Sequence, residues 1–176
     1  RKRSSAASDV YKRQLLGSET NANGKRTVLG IEYAQYVKLD ADFRYYRKVG
    51  RKQTLIGRVF AGYGLAYGNS STLPFSKQYF SGGPYSVRAF RIRALGPGTY
   101  SSDDNSSFFD QSGDIRLEAN LEYRFPLVSI LKGALFVDAV NVWLREKNES
   151  LLGGKFSSNF MNELGLGTGL GIRFDI

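Results

Sequence analysis

The chain has 176 residues with no Cys, no His and a formal net charge of +9. Lack of Cys excludes disulfide and thiolate-metal scaffolds, and lack of His removes the commonest general base, which argues against an enzyme. The 12 Phe, 11 Tyr and 20 Gly, against only 4 Pro, favour strands, with glycine where backbones crowd.

In chain order, the opening RKRSSAASDVYKRQ has neither alternation nor an apolar core, so it is not a secretory signal. Nearly half of the net charge sits there, in Arg1, Lys2, Arg3, Lys12 and Arg13 against Asp9. The other basic residues are dispersed, apart from a group at Arg47, Lys48, Arg51 and Lys52. No continuous basic face emerges, so nucleic acid is not an expected partner. The string SSAASDVYKRQ resembles a translated sequencing adaptor. Residues 1–14 are therefore set aside as non-native or disordered, and a true N-terminus with its signal is expected upstream.

From Tyr33 the chain alternates. Val37, Leu39, Ala41, Phe43 and Tyr45 share one face, and Lys38, Asp40, Asp42 and Arg44 the other; period 2 predicts a strand. A second run places Leu55, Val59, Ala61, Tyr63 and Leu65 opposite Thr54, Arg58, Gly62 and Gly64, with Ile56 and Phe60 breaking the polarity of that second side. From Gly113 to Pro126, Ile115, Leu117, Ala119, Leu121, Tyr123 and Phe125 alternate with Asp114, Arg116, Glu118, Asn120, Glu122 and Arg124. Leu131 to Trp143 is less regular, with Lys132, Phe136 and Asp138 on the polar side. The last run alternates Leu164, Leu166, Thr168, Leu170, Ile172 and Phe174 with Gly165, Gly167, Gly169, Gly171, Arg173 and Asp175. It lacks phosphate-loop spacing, and its glycines leave room for something bulky on that face.

These five runs suit tilted membrane strands, which need about 9 to 11 residues, better than globular strands of about 5 or 6. No run approaches the roughly 18 apolar residues of a membrane helix. The mean hydropathy of −0.32 does not count against a barrel, whose inner face is wet. Connections alternate in length: short near 47–52, long over 68–112, short at 126–130, long over 144–159. Outer-membrane barrels show that alternation; a soluble sandwich has no reason to. Tyr45, Tyr46, Tyr123 and Phe125 flank the short turns, while Tyr63, Tyr67 and Trp143 flank the long loops, as two interfacial girdles would. The expected fold is all-β: about five antiparallel strands of a transmembrane β-barrel. Single-chain bacterial barrels have at least about eight strands, so a fragment is expected.

The first long loop contains Tyr79-Phe80-Ser81-Gly82-Gly83-Pro84-Tyr85-Ser86-Val87-Arg88-Ala89-Phe90 and then Leu95-Gly96-Pro97-Gly98. With GDIRLEANLEYRFPL, GALFVDAVNVW and GLGTGLGIRFD following in order, this closely resembles the BamA/TamA outer-membrane assembly superfamily, the bacterial surface antigen family. The likeness covers almost everything after residue 28. It implies a barrel of 16 strands when complete, with residues 15–176 forming a partial barrel domain, about nine strands preceding it and two following. It also implies that the loop, with Gly82, Gly83, Val87, Arg88, Ala89 and Phe90, folds inward so that Arg88 meets Glu122 and Asp138. Alternation places both acids on the inner face, opposite each other or about one pair apart. Without the likeness, Arg88 reads first as a solvated loop charge, with the acids paired to neighbours such as Arg116 or Arg124. Two departures stand out. Ala89 replaces the family glycine and would be strained at positive φ. Val140 replaces another glycine and fills lumen space.

The resemblance further implies a protein that folds other barrel proteins into the bacterial outer membrane, with unfolded barrel proteins, membrane lipids and accessory lipoproteins as partners and no cofactor or metal. A secretion barrel of the same superfamily and a passive pore are the alternatives.

Overall fold

The computed structural model describes residues 19–174 except 22–23, 29–30, 101–110 and 129. The segment 1–14 lies outside the described residues. The chain divides into two compact units, one built from residues up to Leu39 with Gly64–Gln78, the other from Asp40–Tyr63 and Tyr79 onward.

The first unit contains three strands that alternation did not reveal: β1 (Glu19–Thr20), β2 (Arg26–Val28) and β3 (Ile31–Glu32), a small antiparallel sheet in that order. Runs of two or three residues are too short to show a period. Asn69 ties this sheet to the start of the long loop. Its Nδ2 donates to the Arg26 and Tyr33 carbonyls at 2.8 and 2.9 Å, and its Oδ1 accepts from the Arg26 N–H at 2.6 Å.

The main sheet consists of β4 (Tyr36–Gly50), β5 (Gln53–Ala66), β6 (Ile115–Val128), β7 (Leu131–Trp143) and β8 (Gly165–Phe174), each beside its sequence neighbour. All-β architecture with five long strands is what the alternation demanded. The strands are 10 to 15 residues long. Registers run in step: Arg58 faces Asn120, Asn120 faces Asp138 and Asp138 faces Gly167. One irregularity, between Pro126 and Val128, sits at the β6–β7 turn, where a missing proline N–H does least harm.

The two faces differ as the period requires. Leu39, Phe43, Val59, Leu121, Val137, Leu166, Leu170 and Ile172 are exposed apolar residues on one face. Glu118, Glu122, Asp138 and Val140 are buried on the other. A soluble sheet hides its apolar face and wets its polar one. Here the reverse holds, because lipid is the solvent for the apolar face and the long loop covers the polar one.

Trp143 corrects an expectation. It is 0 % exposed rather than a lipid-facing girdle residue. Phe156 and Phe160 of the second long loop pack on its ring edge-to-face, at 5.3 and 6.4 Å between centroids, and its Nε1–H donates to Glu163. The loop that follows β7 folds back over the strand's own end.

Candidate functional site

The inner face carries a docked hairpin built from residues 81–93 of the long loop. Its two arms are joined by Arg93 N–H to the Ser81 carbonyl at 2.8 Å and Gly83 N–H to the Phe90 carbonyl at 2.8 Å. Gly82 and Gly83 adopt φ of +89° and +91°, a region open mainly to glycine. A Cβ on Gly82 would also lie 2.0 Å from the Arg91 carbonyl oxygen. The Gly-Gly pair thus makes the bend that presents Val87 and Arg88 to the sheet.

Val87 is fully buried. It lies over Gly167 of β8, where an added Cβ would approach the Val87 Cγ1 to 2.9 Å and the Ala89 Cβ to 2.8 Å. Leu95 sits over Gly165 in the same way, at 2.6 Å. Gly165 and Gly167, two of the four alternating glycines of β8, are therefore the seat of the loop. Ala89 does not have positive φ; Arg93, at +61°, is the one non-glycine that does among the described residues. The strain that a left-handed Ala89 would have carried is absent. Val140 is 0 % exposed and faces inward, opposite Glu118 on one side and Gly165 on the other. Phe90 is half-buried and closes the hairpin by its backbone.

Arg88 lies between two acids. Its Nε and Nη2 donate to Asp138 Oδ2 and Oδ1, both at 2.9 Å, and its Nη1 donates to Glu122 Oε2 at 2.7 Å. The Arg88 backbone N–H also points at Asp138, at 3.3 Å. Its guanidinium stacks 3.5 Å above the Phe136 ring, the residue paired with Glu122. Bonds to Asp138, and next to Glu122, hold the Arg88 side chain even more firmly protonated than usual. Planar bidentate geometry of this kind suits arginine and not lysine.

Sequence reasoning missed two further parts of this network. First, Glu122 accepts from Arg173 at 2.7 Å, in addition to Arg88 and to Arg124 at 2.6 Å, which the sequence offered as alternatives and which are both bonded. Arg173 reaches across from β8, so the loop, β6 and β8 meet on one carboxylate. Second, Ser86 makes a separate attachment. Its hydroxyl donates to the buried Glu118 at 3.0 Å, and its carbonyl accepts from Asn120 Nδ2 at 3.0 Å. Glu118 is neutralised by Arg58 and Arg116, and Arg58 continues to Asp42 at 3.1 Å. Asn120 Nδ2 also donates to Asp138 at 3.1 Å, which joins the two attachments. The inward period marks Glu118 and Asn120, but nothing in the sequence gives their partner in a loop some thirty residues away.

Higher on the same face, the Tyr79 hydroxyl donates to Asp40, and Gly62 makes room for the Tyr79 ring, 2.7 Å from where its Cβ would be. Burial, and then the Asp40 carboxylate, push the Tyr79 phenol up. The Leu95-Gly96-Pro97-Gly98 segment is held by buried Asn141. Its Nδ2 donates to the Gly98 carbonyl at 2.9 Å and to the Glu163 carbonyl, which fastens both long loops to the end of β7.

Comparison with known proteins agrees with this architecture. The model of the Omp85 superfamily domain matches residues 16–176. The chain is similar to the outer membrane protein assembly factor BamA of Neisseria meningitidis serogroup B (strain ATCC BAA-335 / MC58), with 25% identity over 167 residues covering 84% of this chain and 21% of that protein. Its fold is similar to the crystal structure of BamA from Haemophilus ducreyi lacking POTRA domains 1-3, at a TM-score of 0.61 and 21% identity, over 85% of this chain and 31% of that one. The chain thus spans about a fifth and a third of the two proteins it matches. Its five-stranded sheet is part of a bacterial outer-membrane β-barrel, and the chain belongs to the Omp85 superfamily.

Proposed function

We propose that the whole protein folds and inserts other β-barrel proteins into the bacterial outer membrane, and that Arg88, gripping Asp138 and Glu122, holds the inserted loop as a brace on the barrel wall. The relative from Neisseria is named an outer membrane protein assembly factor. The observation that favours this over a passive pore is the docked hairpin: Val87 and Leu95 fill the glycine seat of β8, on the face that an open channel would leave to water. On this reading the working site is Gly82, Gly83, Val87, Arg88, Ala89 and Phe90 against Glu122 and Asp138. Unfolded barrel proteins are the substrates, with membrane lipids and accessory lipoproteins as partners. The mechanism needs no bond chemistry. An exposed strand edge elsewhere in the full barrel templates an incoming strand by β-augmentation, while the brace keeps the wall curved.

Depleting the full-length protein in its own cell tests this. Amounts of many unrelated outer-membrane barrels should fall together. Loss of one exported protein alone would instead identify a secretion barrel, and a change only in solute permeability would identify a pore.

A further inference from the structure

The hairpin joining β4 to β5 carries Arg47, Lys48, Arg51 and Lys52 within six residues, all exposed. None of the four has an ion-pair or hydrogen-bonded side-chain partner among the described residues. No acidic residue occurs in the sequence between Asp42 and Asp103, and Asp42 is already taken by Arg44 and Arg58. Four cations without counter-charge therefore stand at a short turn.

Their position is specific. Going down the outward face of β4, Phe43 and Tyr45 are 67 % and 53 % exposed, and Arg47 follows at the next outward place. Apolar band, tyrosine, then cation is the order in which a strand leaves hydrocarbon, crosses the interface and reaches the phosphate layer. Farther along the strands from this turn, Phe43, Val59, Leu121 and Val137 line an apolar groove on the same outer face. A surface offering both cations and bare aliphatic side chains matches a ligand with an anionic head and acyl tails.

We propose that the β4–β5 hairpin binds the headgroup of an anionic phospholipid in the leaflet reached by the short turns, with its acyl chains against Phe43, Val59 and Leu121 of the outer face. The inference rests on the outer-membrane wall and not on the assembly activity. Each cation near an anionic surface contributes about 1 kcal/mol, or roughly fivefold. Two cations on one headgroup should therefore enrich that lipid by about 25-fold over a zwitterionic one.

The test uses full-length protein reconstituted in mixed phosphatidylethanolamine and phosphatidylglycerol, with the lipids retained after detergent extraction quantified by mass spectrometry. Phosphatidylglycerol should be enriched, high salt should weaken the enrichment, and inorganic phosphate should not displace the lipid. The R47Q/K48Q/R51Q/K52Q variant should retain both lipids near their bulk ratio while still running as a folded, heat-modifiable barrel. No enrichment in the parent, unchanged enrichment in the variant, or displacement by inorganic phosphate would each overturn the proposal. No substrate is present in this experiment, so its failure leaves the assembly reading standing.

Discussion

Replacing Arg88 with Ala removes three side-chain bonds, two to Asp138 at 2.9 Å and one to Glu122 at 2.7 Å. Breaking a buried ion pair by deleting one partner costs about 3 to 5 kcal/mol, because the other charge is left stranded. The two acids fare differently. Glu122 keeps Arg124 and Arg173. Asp138, whose side chain is 0 % exposed, keeps only Asn120 at 3.1 Å and the residue-88 N–H at 3.3 Å. One stranded carboxylate, not two, puts the cost at the low end, about 3 kcal/mol, which is roughly a 100-fold rise in the undocked fraction of the loop. Hydrogen exchange reads this directly, because the residue-88 amide itself points at Asp138 and survives the substitution. Its exchange, and that of residues 86–90, should quicken about 100-fold in the reconstituted full-length protein, and the hairpin should be clipped faster by protease, while β6 and β7 stay protected. Arg88→Lys should fall between, since an ammonium cannot fork onto both acids. Unchanged exchange in Arg88→Ala would refute the idea that this side chain holds the loop.

The remaining predictions concern the other holds on the loop. Glu118→Gln removes the charge beneath Ser86; combined with Arg88→Ala it should loosen the hairpin by an amount differing from the sum of the single effects by about 0.5 kcal/mol or more, since Asn120 links both attachments, and strict additivity in a double-mutant cycle would show two independent anchors. Gly167→Val should expel the hairpin, because even a Cβ meets Val87 and Ala89 within 3 Å, whereas Gly171→Ala should be tolerated, its nearest atom being 3.9 Å away; equal exchange rates in the two variants would contradict the glycine seat. Ala89→Gly should weaken docking by about 0.5 to 1 kcal/mol, since the backbone there has no positive φ for glycine to relieve; a tighter loop would show the opposite. Asn141→Ala releases the Gly98 and Glu163 carbonyls and should make both loops more open to proteolysis at a cost of about 1 to 3 kcal/mol, with unaltered cleavage of residues 95–100 as the refuting result.

The parts of the fold legible in the sequence were those governed by a period. A two-residue repeat over ten or more positions fixes which side chains share a face, and the five long strands follow. The same repeat places Glu122 and Asp138 inward, and the registers set them one pair apart, Glu122 facing Phe136 while Asp138 faces Asn120. The position of Arg88 has no such origin. No period connects a loop residue to strands that follow it by 34 and 50 residues, so its expected partners came from family likeness alone. Ser86 with Glu118, and Arg173 with Glu122, were missed for the same reason: each is a contact between side chains that are far apart in the chain. Trp143 fails differently. Alternation correctly marks its place on the strand, but whether that place meets lipid or protein depends on the following loop, which folds back over it.

Burial of so much charge also bears on how the wall is built. Asp42, Arg58, Glu118, Asn120, Asp138, Glu122 and Arg173 lie on five successive strands, and each is bonded to the next directly or through Ser86 or Arg88. Such ion pairs are poor sources of net stability, since desolvation offsets most of the attraction. Their geometry is demanding, however, and a two-residue slip of any strand would separate several at once. Apolar contacts with lipid give no comparable signal, because hydrocarbon accepts any register equally. The inner network therefore sets register and curvature in a sheet whose outer face cannot, and the loop is part of that network. Undocking the hairpin should thus free the curvature of the wall while its backbone ladder stays closed.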